Sequence, residues 1–426
     1  LGFDANTQQP TSRTLGYDAA GRLTDVLDDS NPQLNQRHGY DGLDRLTASE
    51  RGEFQLSRTD YAYDLGGNRT EKSQDHTTQY HYSTDPSSNR LHSQSGAQAV
   101  NYQYDAAGNL TTDGTISYTY NAAGRRLSAT ATNLTAGYTY NALGQRVSQT
   151  VNGIATQFFY DEQGHLTGEY DSAGRPIHEL IWLGDWPVAT IKPAANSNAT
   201  PNIYYIHADH LGTPRKITRP EDNQVVWTWE SEAFGASLPD PNPSGLGSFV
   251  FNLRFPGQYY DQETGLFYNG FRDYDPATGR YGESDPIGLA GGLNTYAYAL
   301  SNPLRWTDFF GLTSKCPTSP PKCDPNWVPY YGNPAVFHCG FEGYLENRSP
   351  TPDDPIGECF YDDFKNLVDV NHSYASCGGT PDQYGKNQPF LHTLIDSGGI
   401  VRQGGPALGT SIFYWMGRGG NSLINQ

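Results

Sequence analysis

The sequence predicts a mainly β fold of stacked hairpins, followed by a small C-terminal domain of different make. Three observations predict it: a tyrosine–aspartate template that recurs along the first half of the chain, a composition rich in glycine and tyrosine, and the confinement of every cysteine to the stretch after residue 312. Among 426 residues stand 47 Gly, 30 Tyr and 28 Pro against a single Met, and 17% of residues are charged. Aromatic side chains favour pleated surfaces, and glycine supplies the positive φ that tight turns need.

The template is plain in L-G-Y-D-A-A-G-R-L-T (Tyr17, Asp18, Gly21, Arg22, Leu23) and H-G-Y-D-G-L-D-R-L-T (Tyr40, Asp41). It returns at Tyr63-Asp64, Tyr104-Asp105, Tyr120-Asn121, Tyr140-Asn141 and Tyr160-Asp161, with a degenerate copy near Tyr82. The spacing of roughly twenty residues is the length of one two-stranded unit with its connections. In Y-x-Y-D-A-A-G-N-L-T the tyrosines alternate on one strand face, Asp or Asn opens a turn through its side-chain acceptor, Gly closes it, and Leu or Val begins the return strand. Such a hairpin buries an apolar edge only against its neighbours, so the array is expected to form an extended, curved sheet.

After the repeats come Y-Y-I-H-A-D-H-L-G-T-P-R at 204–215, R-F-P-G-Q-Y-Y-D-Q-E-T-G-L-F-Y-N at 254–269 and F-R-D-Y-D-P-A-T-G-R-Y-G-E-S-D-P-I-G-L at 271–289. Together with the template, these residues resemble the YD repeats and repeat-associated core of Rhs, insecticidal-toxin C-subunit and teneurin-type proteins, over residues 15–312. The resemblance implies that the hairpins form part of a hollow spiral shell around a variable C-terminal toxin domain. On this reading 1–200 is the hairpin array, 201–312 the Rhs core-associated domain, 313–326 a linker and 327–426 the variable domain, of α+β or β class. His207, Asp209 and His210 have residue types that bind metals, but a histidine beside a strand is more often hydrogen-bonded to backbone. No metal and no cofactor is expected.

The chemically sharp feature is D-P-I-G-L at 285–289 and, eighteen residues on, D-F-F-G-L at 308–312. Two carboxylates converging in a water-poor site do not both ionise easily; one proton is shared and their titrations couple. Aspartic proteases use this arrangement, one carboxylate activating water while its protonated partner polarises the scissile carbonyl. Spacing alone does not establish convergence. The resemblance does imply it: Rhs and C-subunit proteins cut themselves after the second Gly-Leu, which makes Asp285 and Asp308 the catalytic pair and Leu312–Thr313 the cut bond. Phe309 stands where the family often has proline; cleavage is expected to survive, since proline supplies stiffness rather than chemistry. Arg272 and Arg280 precede the pair and are read as structural, with a carboxylate contact as the alternative.

At Thr313 the composition shifts to T-S-K-C-P-T-S-P-P-K-C-D-P, an extended linker in character. Beyond it, Cys359, His372, Cys377, His392 and Asp396 are the residue types of a Cys-His-Asp nucleophilic site and also of a Cys/His metal site. Disulfides among Cys339, Cys359 and Cys377, or simple core roles, compete with both, and Tyr361-Asp362 reads as one more tyrosine hairpin. Five cysteines leave at least one thiol free if disulfides form.

A net charge of −18 and a pI near 4.9 argue against nucleic-acid binding by a general basic surface of the shell. There is no run of about 18 apolar residues to span a membrane. The chain opens on Leu1 inside a repeat, as a fragment would. The resemblance implies as partners the upstream Rhs shell of the same polypeptide, a cognate immunity protein and a secretion apparatus, and as location secretion, delivery into a target cell or display at the cell surface. An adhesion scaffold of teneurin type and the C subunit of an insecticidal complex are the rival readings. An adhesion scaffold has no need of the aspartate pair.

Overall fold

The computed structural model describes residues 2–3, 10–53, 57–85, 87–194 and 200–312, with three short strands beyond them. The chain divides into two units: residues 1–289 with 293–312, and residues 290–292 with 313–426. In the second unit, Trp327–Pro329, Leu345–Asn347 and Phe360–Tyr361 pair in sequence order as an antiparallel sheet. The linker at 313–326, Cys359, His372, Cys377, His392 and Asp396 lie outside the described residues.

The first unit is antiparallel β. Helical structure among the described residues is confined to three short 3-10 turns, Pro32–Leu34, Gly288–Gly291 and Ala299–Ser301. A nine-stranded sheet runs from Arg13–Tyr17 to Val100–Asn101, and a thirteen-stranded sheet from Gln103–Tyr104 to Val225–Thr228. Both follow chain order without a crossover, as consecutive hairpins must. A smaller four-stranded sheet follows, with strands Tyr259–Tyr260, Phe267–Asn269, Arg272–Asp275 and Arg280–Tyr281.

Most template turns work the same way. The Asp18 carboxylate accepts the backbone N–H groups of Ala20 and Arg22, at 2.9 and 3.0 Å, while its other oxygen takes the Arg22 Nε–H at 2.6 Å. Asp41, Asn121, Asn141, Asp161 and Asp171 each accept the same pair of N–H groups two and four residues on. The side chain thus satisfies donors that a five-residue loop leaves over. A second device links hairpin to hairpin. Tyr40, Tyr63, Tyr140 and Tyr160 donate their hydroxyls to the carbonyls of Leu23, Leu46, Arg126 and Arg146 in the preceding unit, at 2.6–2.9 Å. Trp182 does the same through Nε1 to Leu166.

One face of the second sheet presents Phe158, Leu166, Leu180, Ile206 and Ile217 to a core completed by Trp227, Trp229, Phe251, Phe267, Tyr274 and Tyr281. The buried side chains of Arg126 and Arg146, both from the repeats, pair with the buried Asp261; Arg126 also meets Asp273. These contacts tie the repeats to the small sheet, and charges so deeply buried persist only when paired.

Candidate active site

The small sheet and the loop beyond it carry the two aspartates of the D-x-x-G-L motifs. Asp285 stands just past the strand Arg280–Tyr281. It opens a turn in which Gly288 N–H donates to the Asp285 carbonyl at 2.9 Å and Ile287 N–H to its Oδ1 at 3.0 Å. Asp285 N–H in turn donates to the Thr295 carbonyl at 2.8 Å, closing the intervening loop. The segment 308–312 lies along residues 269–272. Phe271 N–H donates to the Phe310 carbonyl at 2.8 Å, and Asn269 Nδ2 to the Asp308 carbonyl at 2.9 Å. Gly311 has φ +68°, and a Cβ there would collide with the Asn269 carbonyl, so this position admits glycine alone without rearrangement.

The two carboxylates meet on Arg272. Its Nη2 is 2.9 Å from Asp285 Oδ2 and 3.1 Å from Asp308 Oδ2. The same guanidinium donates through Nη1 to the Thr295 carbonyl at 3.0 Å and through Nε to the Gly311 carbonyl at 2.6 Å. It rests on the Tyr281 ring, 3.7 Å from the ring centre. The three charged side chains are 2–3% exposed, so water screens them little. Asp308 further accepts the Tyr281 hydroxyl at 2.8 Å and the Leu312 N–H at 2.9 Å.

Burial pushes the Asp285 carboxyl up to about 6; Arg272 and the Ile287 N–H oppose the shift and Asp308 adds to it. Burial raises Asp308 as well, against Arg272, the Tyr281 hydroxyl and the N–H groups of Leu312 and Gly311. A carboxyl tuned upward in a closed site is suited to moving protons near neutral pH.

Sequence reading brings Asp285 and Asp308 forward and reads Arg272 as structural with a carboxylate contact as the alternative; the structure sets Arg272 against both carboxylates. It contacts them through one shared nitrogen rather than bidentately, so a cation takes up part of the repulsion that proton sharing alone was expected to relieve. Arg280 points elsewhere, its guanidinium bonded to the Asn89 carbonyl and lying over Tyr296. Tyr281 and Asn269, which sequence reading did not single out, complete the surroundings, Asn269 Nδ2 donating to the Tyr281 hydroxyl at 2.8 Å. His207, Asp209 and His210 do not converge on one point. His207 faces Thr218 Oγ1 at 2.9 Å, and His210 the Leu304 carbonyl at 2.9 Å. Asp209 caps a template turn through the N–H groups of Leu211 and Thr213. The Thr313 side of the expected cut lies outside the described residues.

Comparison with known proteins adds three findings. Residues 4–303 match the family described as Teneurin YD-shell. The chain is 28% identical over 372 residues to double-stranded DNA deaminase toxin A of Burkholderia cenocepacia (strain H111), a match covering 80% of this chain and 26% of that protein. It is 43% identical over 110 residues to toxin protein Tse5 of Pseudomonas aeruginosa, 26% of this chain and 8% of that one. Among solved structures, the crystal structure of TcdB2-TccC3-Cdc42 is similar with a TM-score of 0.57 at 18% identity, covering 73% of this chain and 17% of that one, a likeness of fold. The chain therefore spans about a quarter or less of the length of these relatives.

Proposed function

We propose, from the premise that this chain belongs to the Teneurin YD-shell family, that it closes the shell of an Rhs-type effector and cuts itself between Leu312 and Thr313, releasing 313–426 as a toxic domain. The observation that carries this is the meeting of Asp285 and Asp308 on Arg272, with Asp308 also holding the N–H of Leu312. The catalytic groups thus stand beside the residue whose carbonyl is to be attacked.

The step is a hydrolysis. One carboxylate takes a proton from water as the water oxygen bonds to the Leu312 carbonyl carbon, and the protonated partner gives its proton to the carbonyl oxygen. The resulting diol collapses with rupture of the C–N bond. The first carboxyl passes its proton to the Thr313 nitrogen, and the second recovers one from a diol hydroxyl. One water is consumed, and the products are a Leu312 carboxyl and a Thr313 amine. Arg272 stabilises the charge that moves between the carboxyls, and its Nε holds the Gly311 carbonyl, so the reacting strand needs no further ordering.

The toxin part of the reading draws on the names of two relatives, a double-stranded DNA deaminase toxin and the toxin protein Tse5. It brings with it secretion or delivery into a target cell, an immunity protein in the producing cell, and an upstream shell on the same polypeptide. No helix among the described residues is long and apolar enough to cross a membrane. An adhesion scaffold would have no use for two aspartates buried on one arginine, and this favours the effector reading. Intact mass spectrometry of the purified chain tests it: a fragment beginning at Thr313 supports the proposal, and a chain that stays whole overturns it.

A further inference from the structure

Building on the self-cleavage reading, we propose that Tyr281 divides the labour within the pair, its hydroxyl making Asp308 the ionised base and leaving Asp285 as the protonated acid. Tyr281 is then a positioning residue, acting through Asp308.

The two carboxylates are unequally supplied with donors. They share Arg272 Nη2, at 2.9 and 3.1 Å. Each takes backbone N–H groups, Ile287 for Asp285 and Leu312 with Gly311 for Asp308. Among side-chain donors, the Tyr281 hydroxyl is the one that Asp308 has and Asp285 lacks. Hydrogen bonds to the charged form favour that form. The carboxyl with more donors therefore holds its proton less tightly.

The hydroxyl is also committed in direction. Its oxygen accepts Asn269 Nδ2 at 2.8 Å, so its proton is left for Asp308 at 2.8 Å. Its ring packs against Tyr274 and Tyr298, with Arg272 over its face. The phenol is thus fixed on both sides. The charged and titratable groups facing Asp308 are Arg272, Tyr281, Asp285 and Tyr298. Tyr298 has a buried hydroxyl with no hydrogen-bond partner among the described residues, so it gives Asp308 no competing bond. The chemistry follows: Asp308 takes the proton from water and Asp285 protonates the Leu312 carbonyl oxygen.

The test is the pH profile of cleavage. Full-length chain made by cell-free translation is shifted into buffers from acid to alkaline, and the cut fraction is followed by intact mass. Cleavage requires Asp308 ionised, so its acid limb reports that group. Tyr281→Phe should move the acid limb upward by about one pH unit while leaving the alkaline limb in place. Site-specific 3-fluorotyrosine at 281, a stronger donor, should move the limb downward. Opposite shifts from two nearly isosteric side chains are not what a packing role produces. A limb that stays put in both variants, or a uniform loss of rate at every pH, overturns the assignment. Asp285→Asn and Asp308→Asn, run in parallel, report on the underlying reading: undiminished cutting in both would discard the pair itself, a result distinct from failure of the Tyr281 role.

Discussion

The Asp308 carboxylate accepts the backbone N–H of Leu312 at 2.9 Å, so one member of the aspartate pair already grips the residue that precedes the expected cut. Substituting either Asp285 or Asp308 by Asn should leave the chain whole, because a proton-relaying pair fails when either member is lost. N-terminal sequencing should give Thr313 from the wild type and no internal start from the variants. Cleavage should be independent of protein concentration, as an intrachain reaction is.

Arg272→Lys should slow cleavage by about 100-fold or more, since lysine cannot hold the carboxylates, Gly311 and Thr295 with one planar fork. The alkaline limb should also move. Arg272 favours the ionised form of Asp285, and a poorer cation raises the pH at which Asp285 loses its proton. The time course of the uncut fraction across pH measures both.

Wild-type cleavage should fall as pH rises above about 6, where Asp285 gives up the proton it needs as an acid. The linkage to stability has the same sign. The folded Asp285 binds its proton more tightly than the unfolded chain does, so the contribution of this group to stability is fully present below the ordinary carboxylate range and is lost as pH rises through about 6. Asp285→Asn should flatten that decline, as read from denaturant midpoints at pH 4, 5, 6 and 7.

Gly311→Ala should impair cutting more than folding. A Cβ at φ +68° meets the Asn269 carbonyl, and the segment 308–312 must lift from residues 269–272 to avoid it. The melting temperature should drop by a few degrees at most, on the order of 1 kcal/mol, while the cut fraction collapses.

Residues 313–426 expressed alone in an unprotected bacterium should stop growth, and the uncleavable full chain should be much less harmful. Growth equal to an empty vector in both cytoplasm and periplasm would instead mark the tail as a binding module. If toxicity appears, Cys359→Ala and His392→Ala, each checked for folding, separate a nucleophilic site from a core role.

The repeated hairpins are legible in the sequence because their turn chemistry is local: aspartate, its two N–H partners and the closing glycine sit within five residues. Two turns of the same kind escape a search keyed to tyrosine at twenty-residue spacing. That at Asp171 joins the opposite ends of its strands, ten residues after Asp161, and that at Asp209 follows alanine. The aspartates of the site are legible as a motif, but their arginine is legible only as an alternative, not distinguished from Arg280. Arg272 lies 36 positions from Asp308, and what joins them is a long-range backbone contact within the chain, Phe271 N–H to the Phe310 carbonyl, that no periodicity records. The same holds for Tyr281, one aromatic among 30 tyrosines.

In the four links from a tyrosine hydroxyl to a backbone carbonyl of the preceding hairpin the acceptor comes first in the chain: Leu23 before Tyr40, Leu46 before Tyr63, Arg126 before Tyr140, Arg146 before Tyr160. A chain leaving the ribosome therefore lays down each carbonyl before the tyrosine that seeks it. No hairpin has to wait for a later one to supply this bond, and assembly can keep pace with synthesis in one direction, N-terminus first. Arg126 and Arg146 break the pattern, since Asp261 emerges more than 100 residues after them. Until it does, two guanidiniums destined for burial remain without this counter-charge, so the sheet that carries them is laid down before the charge that completes its buried face.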